Sequence, residues 1–310
     1  MSDVIEKTGV EPAGPDLSEA AHPAIAVKNL TKRYGKFTAV EDLVLDIPQG
    51  SIYGLVGPNG AGKTTTFAVA ATLLRPTSGS VEVMGHDPAR DARAVRRVMG
   101  YMPDGLGVYA DLDVDEYLRF FAAAYKLPSS RWDQLIDDLL ELVALHSKRT
   151  ARVDSLSRGM KQRLSLARAL VHDPEVLILD EPASGLDPRA RSELRSLLLQ
   201  LASMGKTIVI SSHILAELED VCTHIAIMQE GKVLAAGSTS DVTSQLAAGR
   251  RLRARFADGT TEDFEVADET GQAELLRRLA LDSERQVIEF TRVGGGLEEL
   301  FLSLTKGTDE

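Results

Sequence analysis

The stretch GPNGAGKT, residues 57–64, combines glycines with a lysine and a threonine at a spacing that suits phosphate binding. It lies between the predicted strand SIYGLV and a predicted helix, a setting that favours a phosphate cradle over a plain glycine-rich turn around a buried lysine. The glycines let backbone amides face the phosphates, and the amino-terminal end of the helix adds a partial positive charge. We expect Lys63 to reach the β- and γ-phosphates and the Thr64 hydroxyl to coordinate Mg²⁺. The predicted nucleotide contacts are Gly57, Pro58, Asn59, Gly60, Ala61, Gly62, Lys63, Thr64 and Thr65.

A second candidate site follows the apolar run Val176 to Leu179, which is typical of a buried strand in a parallel sheet. Asp180 and Glu181 come directly after this run. Ligands of parallel sheets bind beyond the carboxyl ends of the strands, so both acids would lie beside the phosphate cradle. We expect Asp180 to hold Mg²⁺, directly or through water, and Glu181 to polarise the water that attacks the γ-phosphate. The two acids alone would suggest only a solvated strand end, but beside the cradle they predict hydrolysis, with Lys63 as a catalytic residue beside Glu181.

The elements that must position these residues alternate along the chain between strands and helices. The predicted strands are residues 24–30, 41–47, 51–56, 79–83, 98–101, 176–179, 207–211 and 223–228, and the predicted helices are 63–74, 189–203 and 214–221. Between them, residues from about 105 to 172 have apolar positions at helical spacing and no convincing strand. The pattern predicts an α/β domain over 23–239, with a mainly parallel sheet interrupted by a helical insertion.

The two ends of the chain differ from this domain. Residues 1–22 contain five acids, one lysine and two prolines, which predicts a disordered tail. Residues 240–310 predict a small α+β domain with a hairpin over 251–266, a helix over 271–281, a strand over 286–290 and a last helix over 297–305. The arginines at 251, 253 and 255 would share one face of the hairpin, which favours a solvated face over contact with lipid headgroups or an acidic partner.

Composition limits the classes of function. A net charge of -11 and a pI near 5.1 argue against broad binding to nucleic acid. The longest stretches without charge are too short to cross a bilayer, and the start of the chain lacks a secretion signal. A single cysteine suits a reducing compartment. We therefore expect a cytoplasmic protein.

A third motif is LSRGMKQR, residues 156–163. Together with the cradle and the acidic strand end, it resembles the nucleotide-binding subunit of ATP-binding cassette (ABC) transporters, and the resemblance covers residues 24 to about 237. Within that range, SGLD at 184–187 is similar to the D-loop of the family, His213 to its switch histidine, and Tyr34 to the aromatic residue that stacks on adenine. The resemblance implies the P-loop NTPase fold of these subunits, with a mainly parallel core, an antiparallel β subdomain and a helical subdomain. It also implies ATP and Mg²⁺ as ligands.

The resemblance further implies roles for individual residues. His213 would bond the γ-phosphate and orient the attacking water, although a lone histidine can also be structural. Ser157 can cap a helix and Gly159 allows close approach of the backbone, so this helix start offers a second phosphate site. Family members form dimers in which two chains in antiparallel register sandwich two ATP molecules. Ser157, Gly159 and Asp187 would then contact the nucleotide held by the other copy of this chain.

Some positions depart from the family pattern. Asp104 stands where the family usually has a glutamine, and we expect it to bind Mg²⁺ through water. Arg158 and Met160 replace the commoner glycine and glutamine of the signature, while the cap serine and the second glycine remain.

The carboxyl-terminal part resembles the extension of ABC-2 type exporter subunits. For residues 240–310 this implies an accessory or regulatory role, in support of the dimer or in control of the cycle. The exporter resemblance also implies a membrane permease, which we expect to be a separate polypeptide because this sequence contains no spanning segment. Short helices of the permease would dock between core and helical insertion at the inner face of the membrane. A drug, a lipid or a polysaccharide would be the exported compound. Two rivals are a cassette ATPase that acts on DNA or ribosomes, and a P-loop kinase. The short insertion and the single cradle disfavour the first rival. The presence of LSRGM, SGLD and His213 together disfavours the second.

Overall fold

The computed structural model describes residues 22–105, 107, 111–246, 250–266, 269–282 and 285–292. The predicted tail, apart from its last residue, and the predicted helix over 297–305 lie outside these residues. The described strands are β1 (Ile25–Tyr34), β2 (Phe37–Ile47), β3 (Ile52–Val56), β4 (Ser78–Val83), β5 (Met99–Met102), β6 (Val176–Leu179), β7 (Thr207–Ser212), β8 (His224–Gln229), β9 (Lys232–Ser238), β10 (Arg250–Phe256), β11 (Thr261–Val266) and β12 (Val287–Arg292). The described α-helices are α1 (Lys63–Ala70), α2 (Ala92–Val98), α3 (Val114–Ala124), α4 (Trp132–Leu142), α5 (Arg158–Leu170), α6 (Pro188–Ser203), α7 (Ala216–Glu219), α8 (Thr239–Leu246) and α9 (Glu269–Ala280). None of the described helices is both long enough and apolar enough to cross a bilayer.

A six-stranded sheet forms the centre of the fold, in the order β5-β6-β7-β3-β8-β9. The first five of these strands are parallel, and β9 pairs antiparallel with β8. Every residue of β3 and β6 is buried, because packed layers cover both faces of the sheet. The predicted mainly parallel sheet is confirmed. Strand β9 was not predicted, since its half-buried positions carry small residues as well as large apolar ones.

A three-stranded antiparallel sheet, in the order β2-β1-β4, packs on one face of the central sheet. Leu30 and Val81 of this sheet share a buried cluster with Tyr53 and Ile178 of the central sheet. This cluster joins the two sheets through apolar contact. It supplies the antiparallel β subdomain that the resemblance implied.

Helices α3, α4 and α5 occupy the interval between β5 and β6, and the described residues of this interval contain no strand. Helix α3 begins with a capping box in which Asp113 and Glu116 bond each other's backbone amides. Arg149 contacts Asp115 at 2.6 Å, and Asp115 also pairs with Arg119. The pair with Arg149 ties α3 to the chain that leads into α5, and the pair with Arg119 lies within α3. The predicted helical insertion is thus present.

Two helices are shorter than predicted. The helix predicted over 63–74 ends at Ala70, because the backbone at Thr72 is left-handed with a φ of 64°. The helix predicted over 214–221 is reduced to α7, because the Ser212 hydroxyl accepts the backbone amide two residues on and fixes a turn there. In both places a local turn replaced the helix that the apolar pattern predicted.

The small sheet β11-β10-β12 and helix α9 form the described carboxyl-terminal part. It has its own buried cluster, made of Leu252, Ala254, Phe256, Leu275 and Leu279. The predicted α+β character is confirmed. On the other face of β10, Arg253 donates to Asp263 at 2.7 and 2.9 Å, and Arg255 donates to Glu289 at 2.8 Å. Such exposed pairs add little stability and fit a solvated face. The side chain of residue 251 lies outside the described side chains.

Cys222, the one cysteine of the sequence, packs against the central sheet. Its Sγ lies 3.0 Å from the point where a Cβ on Gly54 would stand, so strand β3 and the thiol fit together because Gly54 has no side chain. Burial raises the pKa of the thiol to about 12. The thiol is therefore protonated at neutral pH and shielded from solvent.

His172 links the chain after α5 to helix α3 and to the central sheet. Its ring stacks on Tyr125, with the ring centroids 3.9 Å apart and the planes at 9°. Its Nε2–H donates to the backbone oxygen of Met99 at 3.1 Å, while Nδ1 has no partner among the described residues. Burial lowers the pKa of His172 to about 4. The ring is therefore neutral at pH 7.

We expect acid to destabilise the fold in part through His172. Its pKa is about 4 in the folded chain and 6.5 as the reference value, so between these pH values the unfolded chain binds the extra proton. The free energy of unfolding therefore falls as the pH falls, by about 2 kcal/mol between pH 7 and about pH 4.5. His172→Phe keeps a stacked ring but cannot titrate. Urea unfolding at both pH values should show a smaller acid-induced loss in this variant.

Tyr125→Phe is the matched control, because it keeps the same stack and leaves His172 in place. Its loss of stability on acidification should equal that of the unmodified chain. An equal loss in His172→Phe as well would contradict the assignment of this acid sensitivity to His172.

Candidate functional site

The predicted phosphate loop joins β3 to α1. Gly62 is the N-cap of α1, with a φ of 99° and no side chain to bond the helix amides, so the helix start is open to an anion. At two positions of the loop, neighbouring backbone comes so close that only glycine fits. A Cβ on Gly57 would stand 2.3 Å from the oxygen of Met228, and one on Gly62 would stand 2.6 Å from that of Ala39. Of the other predicted contacts, Asn59, Gly60 and Thr64 are exposed, Pro58 and Thr65 are half-buried, and Ala61 is buried.

Lys63 is buried, and its ammonium group faces back into the loop. Nζ donates to the backbone oxygens of Gly57 at 2.6 Å and Pro58 at 3.3 Å. It also lies 3.4 Å from Oε1 of Glu181. The buried positive charge is thus compensated by the loop and by the acid that follows β6.

Asp180 directly follows β6 and is only 1% exposed. Burial raises the pKa of its carboxyl group, and the negative charges of Glu181 and Asp104 raise it further. Hydrogen bonds from Ser211 and Thr64 act in the opposite direction. The Ser211 hydroxyl donates to Oδ1 at 2.6 Å. One carboxylate therefore connects the phosphate loop, β6 and β7.

Glu181 and His213 meet at the carboxyl edge of the central sheet. Oε2 of Glu181 lies 2.8 Å from Nδ1 of His213, and Oε1 faces Lys63. The backbone of Glu181 is left-handed, with a φ of 48°, which is uncommon for a residue with a side chain. The structure therefore brings the three predicted catalytic residues together.

Ser211 was not predicted as a site residue. It is fully buried, and besides donating to Asp180 its hydroxyl accepts the backbone amide of Glu181 at 2.8 Å. The pairing of Leu179 with Ile210 brings the ends of β6 and β7 side by side. Strand pairing is not visible in one sequence. The signal that could have found Ser211 is the polar end of the otherwise apolar strand TIVISS.

Thr64 and Asp180 fit a magnesium ion. A hydroxyl and a carboxylate are oxygen ligands that Mg²⁺ accepts, and these two already share a hydrogen bond. Asp104 is exposed and raises the pKa of Asp180 through its charge. Within the described residues, no group of three or more His, Cys, Asp or Glu side chains could hold a metal ion. Ligation of a metal by Asp104 stays a prediction.

Tyr34 and Phe37 form an exposed aromatic pair at the tip of the β1–β2 hairpin. They are direct cross-strand partners and are 46% and 62% exposed. The ammonium group of Lys32 lies 5.1 Å from the centroid of the Tyr34 ring. Strand β2 then passes the phosphate loop at Ala39. The position suits stacking of Tyr34 on a base. Phe37 was not predicted, although it stands next to the same turn in the sequence.

Ser157 caps α5 as predicted, since its hydroxyl accepts the amide of Met160 at 3.3 Å. Gly159 follows in the first turn, where a Cβ would come 3.5 Å from Ala190 and 3.7 Å from Leu186. A cavity of about 440 Å³ lies between this helix start and the start of α6. The second predicted phosphate site therefore opens onto free space.

Asp187 lines the same cavity and also caps α6. Its Oδ1 accepts the amide of Ala190 at 2.8 Å, and Pro188 occupies the first helical position. An aspartate followed by proline is a known signal for a helix start and could have predicted this capping role. Its contact with a nucleotide stays a prediction.

The predicted site residues thus fall into two groups. The first contains Lys63, Thr64, Asp180, Glu181 and His213, and the second contains Ser157, Gly159 and Asp187. In the part of the chain that the structure describes, no hydrogen bond or ion pair joins a member of one group directly to a member of the other. The two predicted anion sites therefore share no direct polar contact among the described residues.

Comparison with known proteins identifies the family. Residues 40–184 match the family model for ABC transporters. Over 217 residues the chain is 40% identical to the Nod factor export ATP-binding protein I of Paraburkholderia xenovorans, and the alignment covers 70% of this chain and 71% of the relative. This chain belongs to the ABC transporter family. The predicted class, an ABC transporter ATPase, is confirmed.

Two further similarities concern this ABC transporter ATPase. It is 38% identical over 223 residues to the probable multidrug ABC transporter ATP-binding protein YbhF of Escherichia coli, which covers 72% of the chain but only 38% of YbhF. A solved ATP-binding subunit of an ABC transporter superposes with a TM-score of 0.66 and 31% identity, over 72% of this chain and 93% of that one. The predicted nucleotide-binding fold is confirmed.

Proposed function

We propose that this ABC ATPase hydrolyses ATP with Mg²⁺ and thereby powers export through a separate membrane permease. In this proposal Lys63 and the loop amides bind the phosphates. Thr64 and Asp180 hold Mg²⁺, which offsets the charge of the phosphate oxygens. Glu181 polarises the attacking water, and His213 bonds the γ-phosphate.

The observation that carries this proposal is the fixed position of Glu181. Each of its carboxylate oxygens faces a nitrogen, that of Lys63 at 3.4 Å and that of His213 at 2.8 Å. Its own amide is held by Ser211. A general base that is already oriented loses less freedom when substrate and water arrive. This supports in-line hydrolysis at the end of β6.

The separation of the two anion sites supports an ATP sandwich. The start of α5 offers a capped helix end beside an open cavity, and its direct contacts do not reach Lys63. A second copy in antiparallel register would bring that helix end to the nucleotide in the phosphate loop. Tyr34 would stack on the adenine. ATP would then hold two copies together, and hydrolysis would release them.

We expect Glu181→Gln to form a stable dimer in the presence of ATP and Mg²⁺. The amide keeps the size of the side chain but cannot act as a base, so the bound ATP persists and continues to join the two chains. Size-exclusion chromatography with light scattering measures the mass with ATP and with ADP. A monomer under both conditions would refute the sandwich.

Export through a separate permease is supported by the printed functions of the relatives, which are Nod factor export and probable multidrug transport. The net charge of -11 disfavours nucleic acid as the partner. The chain would therefore lie in the cytoplasm at the inner face of the membrane, with the permease in the groove between core and helical insertion. A drug, a lipid or a polysaccharide is the proposed class of exported compound.

The same Glu181→Gln protein tests the partner when it is purified from detergent-solubilised membranes in the presence of ATP. Recovery with an integral membrane protein supports the permease. Recovery with nucleic acid or ribosomes instead would support the rival function.

A further inference from the structure

Arg158 is the first residue of α5 and stands where the signature more commonly has glycine. The amino-terminal end of a helix carries a partial positive charge, so an arginine there is electrostatically disfavoured unless another contact holds it. The structure supplies this contact. Nε of Arg158 donates to the backbone oxygen of Ser184 at 3.1 Å.

The guanidinium group of Arg158 also lies across Gly185. A Cβ on Gly185 would stand 2.6 Å from Cζ, 2.7 Å from Nε and 2.9 Å from Nη2 of Arg158. The backbone of Gly185 is left-handed, with a φ of 66°. The arginine can lie flat on the chain because residue 185 has no side chain.

Gln162 makes a parallel contact one helical turn later. It is buried, and its Nε2 donates to the backbone oxygen of Pro182 at 3.1 Å. Residues four apart lie on the same face of a helix, so Arg158 and Gln162 together hold two alternate backbone oxygens of the segment 182–185. Arg158 therefore adds a second attachment to the one that Gln162 provides.

This segment leads directly back to the general base. The amide of Ser184 donates to the backbone oxygen of Glu181 at 3.0 Å. Arg158 is thus connected to the peptide of Glu181 through two successive hydrogen bonds. The left-handed backbone of Glu181 persists only if its surroundings hold it in place.

We propose that Arg158 is a positioning residue for Glu181 of its own chain. It makes the start of α5 and the turn after Glu181 move as one unit. Phosphate binding at the start of α5, which rests on the ATP sandwich proposed above, is thereby transmitted to the base that acts on the other nucleotide. Arg158 acts through Ser184 and does not contact the reacting atoms.

The test compares ATP hydrolysis by the full chain and by Arg158→Met, which keeps the aliphatic stem and removes the donor. We expect kcat to fall about tenfold while KM stays within about twofold, because the lost contact orients the base and does not bind ground-state ATP. Arg158→Lys, which can still donate to Ser184, should recover kcat to within about threefold of the unmodified chain. The thermal midpoint should stay the same in all three proteins.

Arg96→Met is the matched control. Arg96 lies on α2, outside both groups of predicted site residues, and its Nε donates to the Thr72 hydroxyl at 2.9 Å. The substitution removes the same charge and the same donor, so kcat should stay within about twofold. Equal kcat for Arg158→Met and the unmodified chain would overturn the inference, as would a parallel rise in KM.

The Glu181→Gln background separates this inference from the proposed function. We expect Glu181→Gln with and without Arg158→Met to form the ATP-dependent dimer equally well. If both proteins dimerise and kcat does not depend on residue 158, only the inference fails. If neither protein dimerises with ATP, the sandwich fails and the inference fails with it.

Discussion

Replacing Lys63 by alanine is expected to lower ATP hydrolysis by about 10³-fold. The substitution removes the one charge that the phosphate loop places among the backbone oxygens of Gly57 and Pro58, where the β- and γ-phosphates are expected. It also leaves Oε1 of Glu181 without its cationic neighbour at 3.4 Å. Both ATP binding, by calorimetry, and phosphate release should be measured, since the lysine acts on the bound nucleotide and on the base.

Lys206→Ala is a close control for this change. Lys206 has a largely buried side chain and bonds a carboxylate, Asp173 at 2.6 Å, and a backbone oxygen, Pro174 at 2.8 Å. Like Lys63, it bonds one carboxylate and backbone oxygen, but it lies outside the site. We expect it to lose stability and keep turnover. If Lys63→Ala retained more than a tenth of the original rate, the phosphate role of Lys63 would be wrong.

Replacing Ser211 by alanine should lower turnover by about 10²-fold, because this hydroxyl holds both acids. It donates to Asp180 and accepts from the amide of Glu181, and it is fully buried. Without it a buried carboxylate and a backbone amide each lose a partner, which costs about 1–3 kcal/mol of stability. The shift of the two acids by even about 1 Å would account for the loss of rate. Phosphate release and urea unfolding measure the two effects.

The neighbouring Ser212 offers the comparison. It is also buried, and its hydroxyl donates to Glu217 at 2.9 Å and accepts the amide of Ile214 at 3.0 Å. Ser212→Ala should therefore destabilise the fold by a similar amount while turnover stays within about threefold of normal. Similar rates for the two alanine variants would show that Ser211 is only a packing residue.

The parts of the site that the sequence predicted are those with local causes. The cradle needs glycines within one loop, and Gly57 and Gly62 both stand where a side chain would collide with backbone. Asp180 and Glu181 follow an apolar run whose burial on both faces is visible from its composition. The general rule that ligands bind beyond the ends of parallel strands then brought these residues together.

The contacts that the sequence did not predict depend on which elements are neighbours. Ser211 meets Asp180 across the β6–β7 pairing, although 31 residues separate them. Gln162 reaches Pro182 only because α5 packs beside the segment after Glu181. One sequence does not fix strand order or helix packing, so the polar partners of a predicted acid cannot be named from it.

The burial of Cys222 makes the chain suitable for site-specific spectroscopic labels. With its pKa at about 12 and 7% of its surface exposed, this thiol will react poorly with maleimides at neutral pH. A cysteine introduced on the surface would be the only other thiol in the sequence. Distances between two labelled copies would then test whether the proposed ATP-dependent dimer opens and closes, without first removing a native residue.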